Sequence, residues 1–295
     1  MTNKKTELLR LGLFLLITFS LTWIPYFICL KQLGYEKWLN SSFAVIITLT
    51  MLAPALGNIL TRLITKEGLW SDKLCFNFKG NFKYYATALL LPILFGVISV
   101  MIVNITYGNW SFERLAGRTP FEVIANLMTS FTAPVLYYSF PCFGEEYGWR
   151  GYMNDKLKSL TGTVGAVIIG GIIWGLWHAP LVANGFNFGK VNPFLSISLM
   201  CVNCIIINAI CMYLTEKTGS VYPAVLLHTM LDLHPQSDLQ KFFAGSLSKD
   251  IENQITDFQI ALVLMVIIPA LFGVVYFILL MRNRKNVETQ ATSTV

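Results

Sequence analysis

The 295-residue chain has little charge. Asp, Glu, Lys and Arg together make up 13% of it, which is about half of the ~25% usual in soluble globular proteins. Hydrophobic residues make up 55%, and 21 residues are Phe. This composition excludes a water-soluble globular enzyme, and it is too apolar for a disordered protein. It indicates an integral membrane protein with several spans.

Cysteine is also sparse, and its placement excludes a disulfide scaffold. Most of the six cysteines lie in apolar stretches, where a small buried hydrophobic residue is the ordinary interpretation. Cys201 and Cys204 form a single C-x-x-C without the second pair that a zinc site of this type needs. The net charge of +6 is spread among loops, and no nucleic-acid motif is present. We therefore expect no nucleic-acid partner.

Long apolar stretches predict the architecture. Most of them reach the ~20 residues that cross a bilayer as a helix, and only the seventh is clearly short. The chain is therefore expected to be all-α, a polytopic bundle of about eight transmembrane helices in the cell membrane. The stretches are roughly residues 11–30, 42–64, 84–105, 121–143, 163–184, 193–214, 219–233 and 259–280.

Basic residues predict the topology. With the N-terminus inside, most of the 22 Lys and Arg residues fall in inner segments, so both termini are expected in the cytoplasm. The polar connection 234–258 is then expected outside. We find no internal repeat and no linker, which favours a single integral membrane domain over residues 1–295.

Ionisable side chains inside the apolar stretches are the main functional signal. Such a residue costs about 2.5–3.5 kcal/mol at the bilayer centre and usually marks function. Residues four apart share one helical face. Taken singly, each group could also be a structural pair or an interhelical hydrogen bond. The groups are Glu145 and Glu146 with Arg150, Trp174 with His178, and His228 with Asp232.

Together these residues form a constellation that can supply a general base, an imidazole that positions water, and an oxyanion or metal site. With the spans as drawn, Glu145 lies near the inner end of one span and His178 lies deep in the next. The groups share one depth only if the fourth helix continues to about residue 157. We predict that it does.

Three motifs on successive spans carry a resemblance to a known family: Glu145-Glu146-x-x-x-Arg150, Trp174-x-x-x-His178 and His228-x-x-x-Asp232. In this order they resemble the CPBP family of CAAX proteases and bacteriocin-processing enzymes, also called Abi. This family includes the type II CAAX prenyl endopeptidase. The resemblance covers a core at residues 120–235. It implies an intramembrane endopeptidase that acts on a membrane-anchored peptide or protein.

The resemblance also implies roles for the first two motifs. Glu145 would be the general base that activates water, and His178 would help to hold that water. Glu146 and Arg150 would form a structural pair. The second motif usually begins with Phe, and we expect Trp174 to keep the packing role of that residue.

The third motif departs from the family pattern. His228 and Asp232 would stabilise the oxyanion or complete the site, but Asn is common where this chain has Asp232. An ionised Asp cannot donate a hydrogen bond to an oxyanion. Asp232 is therefore expected to orient His228, to be protonated, or to support a metal.

The cofactor requirement stays open at this point. Glu145, His178 and His228 form an acceptable zinc set, and a glutamate-activated water without metal fits the same residues. We favour the metal-free form, with Zn²⁺ as the one cofactor left open.

Two functions from other classes compete with the protease. One is a non-catalytic bacteriocin-immunity or scaffold protein that keeps the fold. The other is a proton-coupled transporter, which also uses buried charges but often has two similar halves. Other types of intramembrane protease are excluded because the chain has no H-E-x-x-H, G-x-G-D or G-x-S-G motif.

Overall fold

A computed structural model describes residues 3–69, 71–107, 117–233, 259 and 262–293. Regular structure in these ranges is helical throughout, as predicted, because a helix satisfies its own backbone hydrogen bonds inside a bilayer. The helices are α1 (Lys4–Leu33), α2 (Tyr35–Leu39), α3 (Val45–Thr50), α4 (Ala53–Thr65), α5 (Phe82–Tyr107), α6 (Pro120–Gly148), α7 (Asn154–Trp177), α8 (Ala179–Val182), α9 (Pro193–Thr218), α10 (Tyr222–Asp232) and α11 (Ile268–Ser293).

The predicted count of about eight spans stays a prediction. Five helical segments in the described ranges are long and apolar enough to cross a membrane, or six if α3 and α4, bent by 46°, count as one. The predicted fourth and fifth spans meet in one stretch, Val135–Trp177. The predicted seventh span is α10, whose 11 residues reach only about 16 Å. The orientation of the termini stays a prediction, and the loop 234–258 lies outside the described residues.

The fourth helix continues well past its apolar segment, as predicted. A π-helical segment, Trp149–Met153, joins α6 to α7, and the first non-helical residue after it is Gly162, with φ 76° and ψ 179°. The helix therefore passes residue 157. Short π segments often occur at functional sites, and this one begins three residues after Glu146.

Glycines bring the helices around this segment to backbone contact. A Cβ added at Gly171 would lie 2.4 Å from Cα of Ile205 on α9, and Gly171 and Gly175 form a G-x-x-x-G of the kind that lets helices approach closely. A Cβ added at Gly148 would lie 2.3 Å from Cβ of Pro54 at the start of α4. Helices α4 and α9 thus pack closely against this stretch, at positions where a side chain would not fit.

Large apolar side chains cover the outside of the bundle. Leu90 on α5 is 57% exposed, Leu136 on α6 is 78% exposed and Leu271 on α11 is 66% exposed. Water disfavours such a surface, whereas lipid tails solvate it. Together with the apolar spans, this surface makes the chain a multi-pass membrane protein.

Candidate active site

The four side chains predicted to be catalytic line one cavity. The cavity measures about 450 Å³ and lies between α1, α3, α5 to α10 and the start of α11; its polar lining includes Glu145, His178, His228 and Asp232. Aromatic and aliphatic side chains form much of the remaining wall. Residues of all three motifs thus line the same cavity.

Two indole groups hold Glu145. Its carboxylate oxygen Oε2 accepts a hydrogen bond of 2.8 Å from Nε1 of Trp174 and one of 3.3 Å from Nε1 of Trp149. The side chain is only 1% exposed. In the described part of the chain no donor reaches the other oxygen, Oε1. Trp174 therefore does more than pack, because a Phe at its position could not donate to Glu145.

His178 follows the last residue of α7 and is fixed by that helix. Its Nδ1 lies 2.9 Å from the carbonyl oxygen of Trp174. A carbonyl oxygen only accepts, so Nδ1 carries the proton and Nε2 keeps a lone pair. Helix α1 supports this end of α7: Trp23 donates to the carbonyl of Trp177 at 3.0 Å, and Trp177 donates to the Thr22 hydroxyl at 2.9 Å.

Glu146 joins the first motif to the third. Its Oε1 accepts from Nη1 of Arg150 at 2.7 Å, which confirms the predicted pair, and from Nδ1 of His228 at 2.8 Å. The guanidinium of Arg150 also lies 4.1 Å from the ring centre of Trp174. Glu146 and Arg150 are fully buried, and charges at such depth need this kind of pairing.

Asp232 shares a face with His228, as predicted, but it does not fix the imidazole. The distance from Nε2 of His228 to Oδ1 of Asp232 is 3.7 Å, which is longer than a hydrogen bond. The group that orients His228 is Glu146. The other oxygen of Asp232 accepts a contact of 3.5 Å from the thiol of Cys142.

Two residues in these contacts were missed in the sequence. Trp149 lies four residues after Glu145, and this spacing could have indicated a contact on one helical face. Cys142 carries no comparable signal, because nothing in its apolar surroundings separates it from the five other cysteines.

The predicted zinc ligands do not coincide with the most compact ligand group. In the described residues, Cys142, His228 and Asp232 offer ligand atoms that all lie within 4.8 Å of one another. Only His228 belongs to both this group and the predicted set, which also contains Glu145 and His178. The favoured metal-free form stays a prediction, with zinc as the open alternative, and no catalytic step proposed below is assigned to a metal ion.

Comparisons with known proteins agree with the motifs. The family described as Type II CAAX prenyl endopeptidase Rce1-like matches residues 127–234. A curated protein from Methanococcus maripaludis, CAAX prenyl protease 2, is 28% identical over 238 residues, which cover 76% of this chain and 83% of the relative. Both findings confirm the predicted resemblance to the CPBP family. The matched range 127–234 contains every predicted site residue.

Proposed function

We propose that this chain, which resembles the type II CAAX prenyl endopeptidases, is an intramembrane endopeptidase that uses water activated by Glu145. One observation carries the proposal. Two indole N–H groups hold Oε2 of Glu145 and leave Oε1 available at a cavity that two imidazoles also line. A general base must be held in a fixed position within reach of its water, and this arrangement meets that need.

The first step is the attack of water on the peptide carbonyl. Water donates one hydrogen to Oε1 of Glu145 and the other to the lone pair on Nε2 of His178. As the oxygen attacks the carbonyl carbon, Glu145 takes the proton. It then gives this proton to the leaving amine as the C–N bond breaks, so the carboxylate returns to its starting state.

The second requirement is stabilisation of the oxyanion. His228 donates its Nδ1 proton to Glu146, and a proton on its Nε2 would make it a cationic donor towards the cavity. The buried carboxylate of Glu146 stabilises this imidazolium. Arg150 balances the charge of Glu146, which keeps the carboxylate in place.

The cavity suits an apolar group beside the scissile bond. Its volume of about 450 Å³ lies in the range of about 300–1,000 Å³ typical of small-molecule sites. Tyr26, Phe95, Trp177 and Met200 contribute to its wall. Together with the name of the archaeal relative, CAAX prenyl protease 2, this lining leads us to propose a prenylated peptide or protein in the cell membrane as the substrate.

The test is cleavage of a farnesylated CAAX peptide by the full-length protein in liposomes. Glu145→Gln keeps the size of the side chain but removes the base, and we expect a rate loss of at least about 100-fold. Glu216→Gln is the matched control, because Glu216 pairs with Lys158 and does not line the cavity. Cleavage by Glu145→Gln at the wild-type rate would exclude Glu145 as the base.

A second measurement addresses the substrate. The same peptide without its farnesyl group is expected to react more slowly, because the apolar cavity then lies empty. Equal rates for the two peptides would contradict the prenyl requirement. Membrane proteomics of wild type against Glu145→Gln should then show which uncleaved precursors accumulate in the variant.

A further inference from the structure

We propose that Cys142, His228 and Asp232 form a binding site for a thiophilic divalent cation such as Zn²⁺, and that the bound ion inhibits the hydrolysis. The binding of the ion does not depend on the proposed function. The inhibition rests on the proposed function.

The distances from Asp232 to Cys142 and to His228 are close to those between zinc ligands. Sγ of Cys142 lies 3.5 Å from Oδ2 of Asp232, and Nε2 of His228 lies 3.7 Å from Oδ1 of Asp232. Zinc bonds of about 2.0–2.3 Å in a tetrahedron place ligand atoms about 3.3–3.8 Å apart. One ligand atom from each of the three residues lies within 4.8 Å of the other two, so the side chains have to close by up to about 1 Å to reach this tetrahedral spacing.

The orientation of His228 supports the same site independently. Its Nδ1 donates to Glu146 at 2.8 Å, which leaves Nε2 directed towards Asp232. Histidine ligands of metals usually donate their other ring N–H to a carboxylate in this way. Arg150 holds Glu146 in turn, so the imidazole is already oriented for coordination.

The exposure of Asp232 and the charges of the ligands also suit a divalent cation. The side chain of Asp232 is 35% exposed and lines the cavity, whereas Cys142 is fully buried behind it. On binding, the S–H bond of Cys142 and the Nε2–H bond of protonated His228 break, Zn–S and Zn–N bonds form, and both protons leave to solvent. The thiolate and the carboxylate then neutralise the two charges of the ion, and a water can fill the fourth position.

His228 belongs both to the proposed metal site and to the proposed catalytic site, so a bound ion should affect catalysis. The site contains neither Glu145 nor His178, so an ion bound there does not lie on the base that activates water. It does take Nε2 of His228, the atom proposed to stabilise the oxyanion. Occupancy should therefore slow hydrolysis.

The test uses the purified, metal-free full-length protein and Co²⁺ as the probe. A cobalt–thiolate charge-transfer band in the near ultraviolet should grow to one equivalent of Co²⁺. Cys142→Ser should remove this band. Cys204→Ser is the matched control, because Cys204 is buried and lines the same cavity but lies outside the ligand group. A missing band, or one that survives Cys142→Ser, overturns the site.

Inhibition is measured on the farnesylated peptide. Zn²⁺ should slow cleavage by the wild type, and a chelator added afterwards should restore the rate. Cys142→Ser should need at least about 100-fold more Zn²⁺ for the same inhibition. Loss of a group that only orients a metal ligand already costs about 10–100-fold in metal affinity, and loss of a ligand should cost at least as much. Equal sensitivity of the two proteins, or a rise in rate with Zn²⁺, overturns the inhibition. If no peptide is cleaved, the proposed function fails while the cobalt band still decides the site.

Discussion

The indole of Trp174 connects the helical motif of His178 to the base on the preceding helix. The indole N–H donates to Glu145 at 2.8 Å, and the backbone carbonyl of the same residue accepts from Nδ1 of His178. One residue therefore fixes both groups between which the proposed water lies. A Phe at this position would keep the ring but lose the hydrogen bond to the carboxylate.

Trp174→Phe tests whether this hydrogen bond positions the base. It leaves Oε2 of Glu145 with only the longer bond from Trp149, and a hydrogen bond to a charged group contributes about 1.5–3 kcal/mol. We expect kcat to fall roughly 10–100-fold with little change in KM, because the residue positions the base. Steady-state kinetics on the farnesylated peptide measures both constants.

Trp38→Phe serves as the control for that substitution. Trp38 is also fully buried, and its indole donates to the carbonyl of Phe43, which does not line the cavity. Loss of this hydrogen bond should lower the stability of the fold, but it should not lower kcat while KM stays the same. A Trp174→Phe enzyme with unchanged kcat would show that packing is the whole role of this residue.

At the scale of elements, the contact between α6 and α4 places the carboxylates. Gly144 and Gly148 flank the pair Glu145 and Glu146, and a Cβ at Gly144 would lie 2.7 Å from the carbonyl oxygen of Met51. The backbones touch because these positions carry no side chain. The bend between α3 and α4 lies at this contact.

Gly148→Ala tests the contact. The added methyl would meet Pro54 at 2.3 Å, so α4 has to shift, and overpacking of this kind costs about 1–3 kcal/mol. We expect a lower melting temperature in detergent, together with reduced cleavage. Gly12→Ala is the control, since nothing lies within 4 Å of a Cβ there. Equal melting temperatures for wild type and Gly148→Ala would contradict the close packing.

At the scale of the whole molecule, an ionic cluster ties distant parts of the chain together. Arg10 on α1 pairs with Glu7 at 2.8 Å and with Glu67, after α4, at 3.4 Å. Lys156 on α7 pairs with Glu7 at 2.9 Å and with Glu67 at 2.5 Å. Tyr152 adds a hydrogen bond of 2.6 Å to Glu67. The cluster thus fastens one end of the bundle.

The cluster predicts how stability depends on pH. Burial acts to raise the pKa of Glu67, but hydrogen bonds from Lys156, Tyr152 and Thr65 outweigh it and hold this pKa below the usual 4.5. Because the folded pKa is the lower one, the stabilisation is complete above about pH 4.5 and is lost as the pH falls through the folded value. Glu67→Gln should remove this dependence.

Thermal unfolding of wild type and Glu67→Gln across a pH series measures the effect. At neutral pH we expect the variant to be less stable by about 1–3 kcal/mol, because Lys156 and Arg10 lose a partner. The gap should narrow in acid. Glu36→Gln is the control, since Glu36 pairs with Lys190 on the exposed surface. A gap that stays constant in acid would contradict the role of Glu67.

The sequence by itself determined the features that local geometry and solvent preference decide. Low charge and long apolar stretches require a membrane environment, whatever the arrangement of the helices. Spacing by four residues places side chains on one face of any helix. For this reason the pair Glu146–Arg150 and the common face of His228 and Asp232 were predictable.

Only the tertiary structure decided which faces meet. Glu146 and His228 are 82 residues apart, Cys142 and Asp232 are 90 apart, and Trp174 is 29 residues from Glu145. Contacts over such separations depend on how the helices pack, and no local spacing records that. The exact number of spans stays a prediction for the same reason, because hydropathy measures how apolar a segment is but not where its helix bends, continues or stops short of crossing.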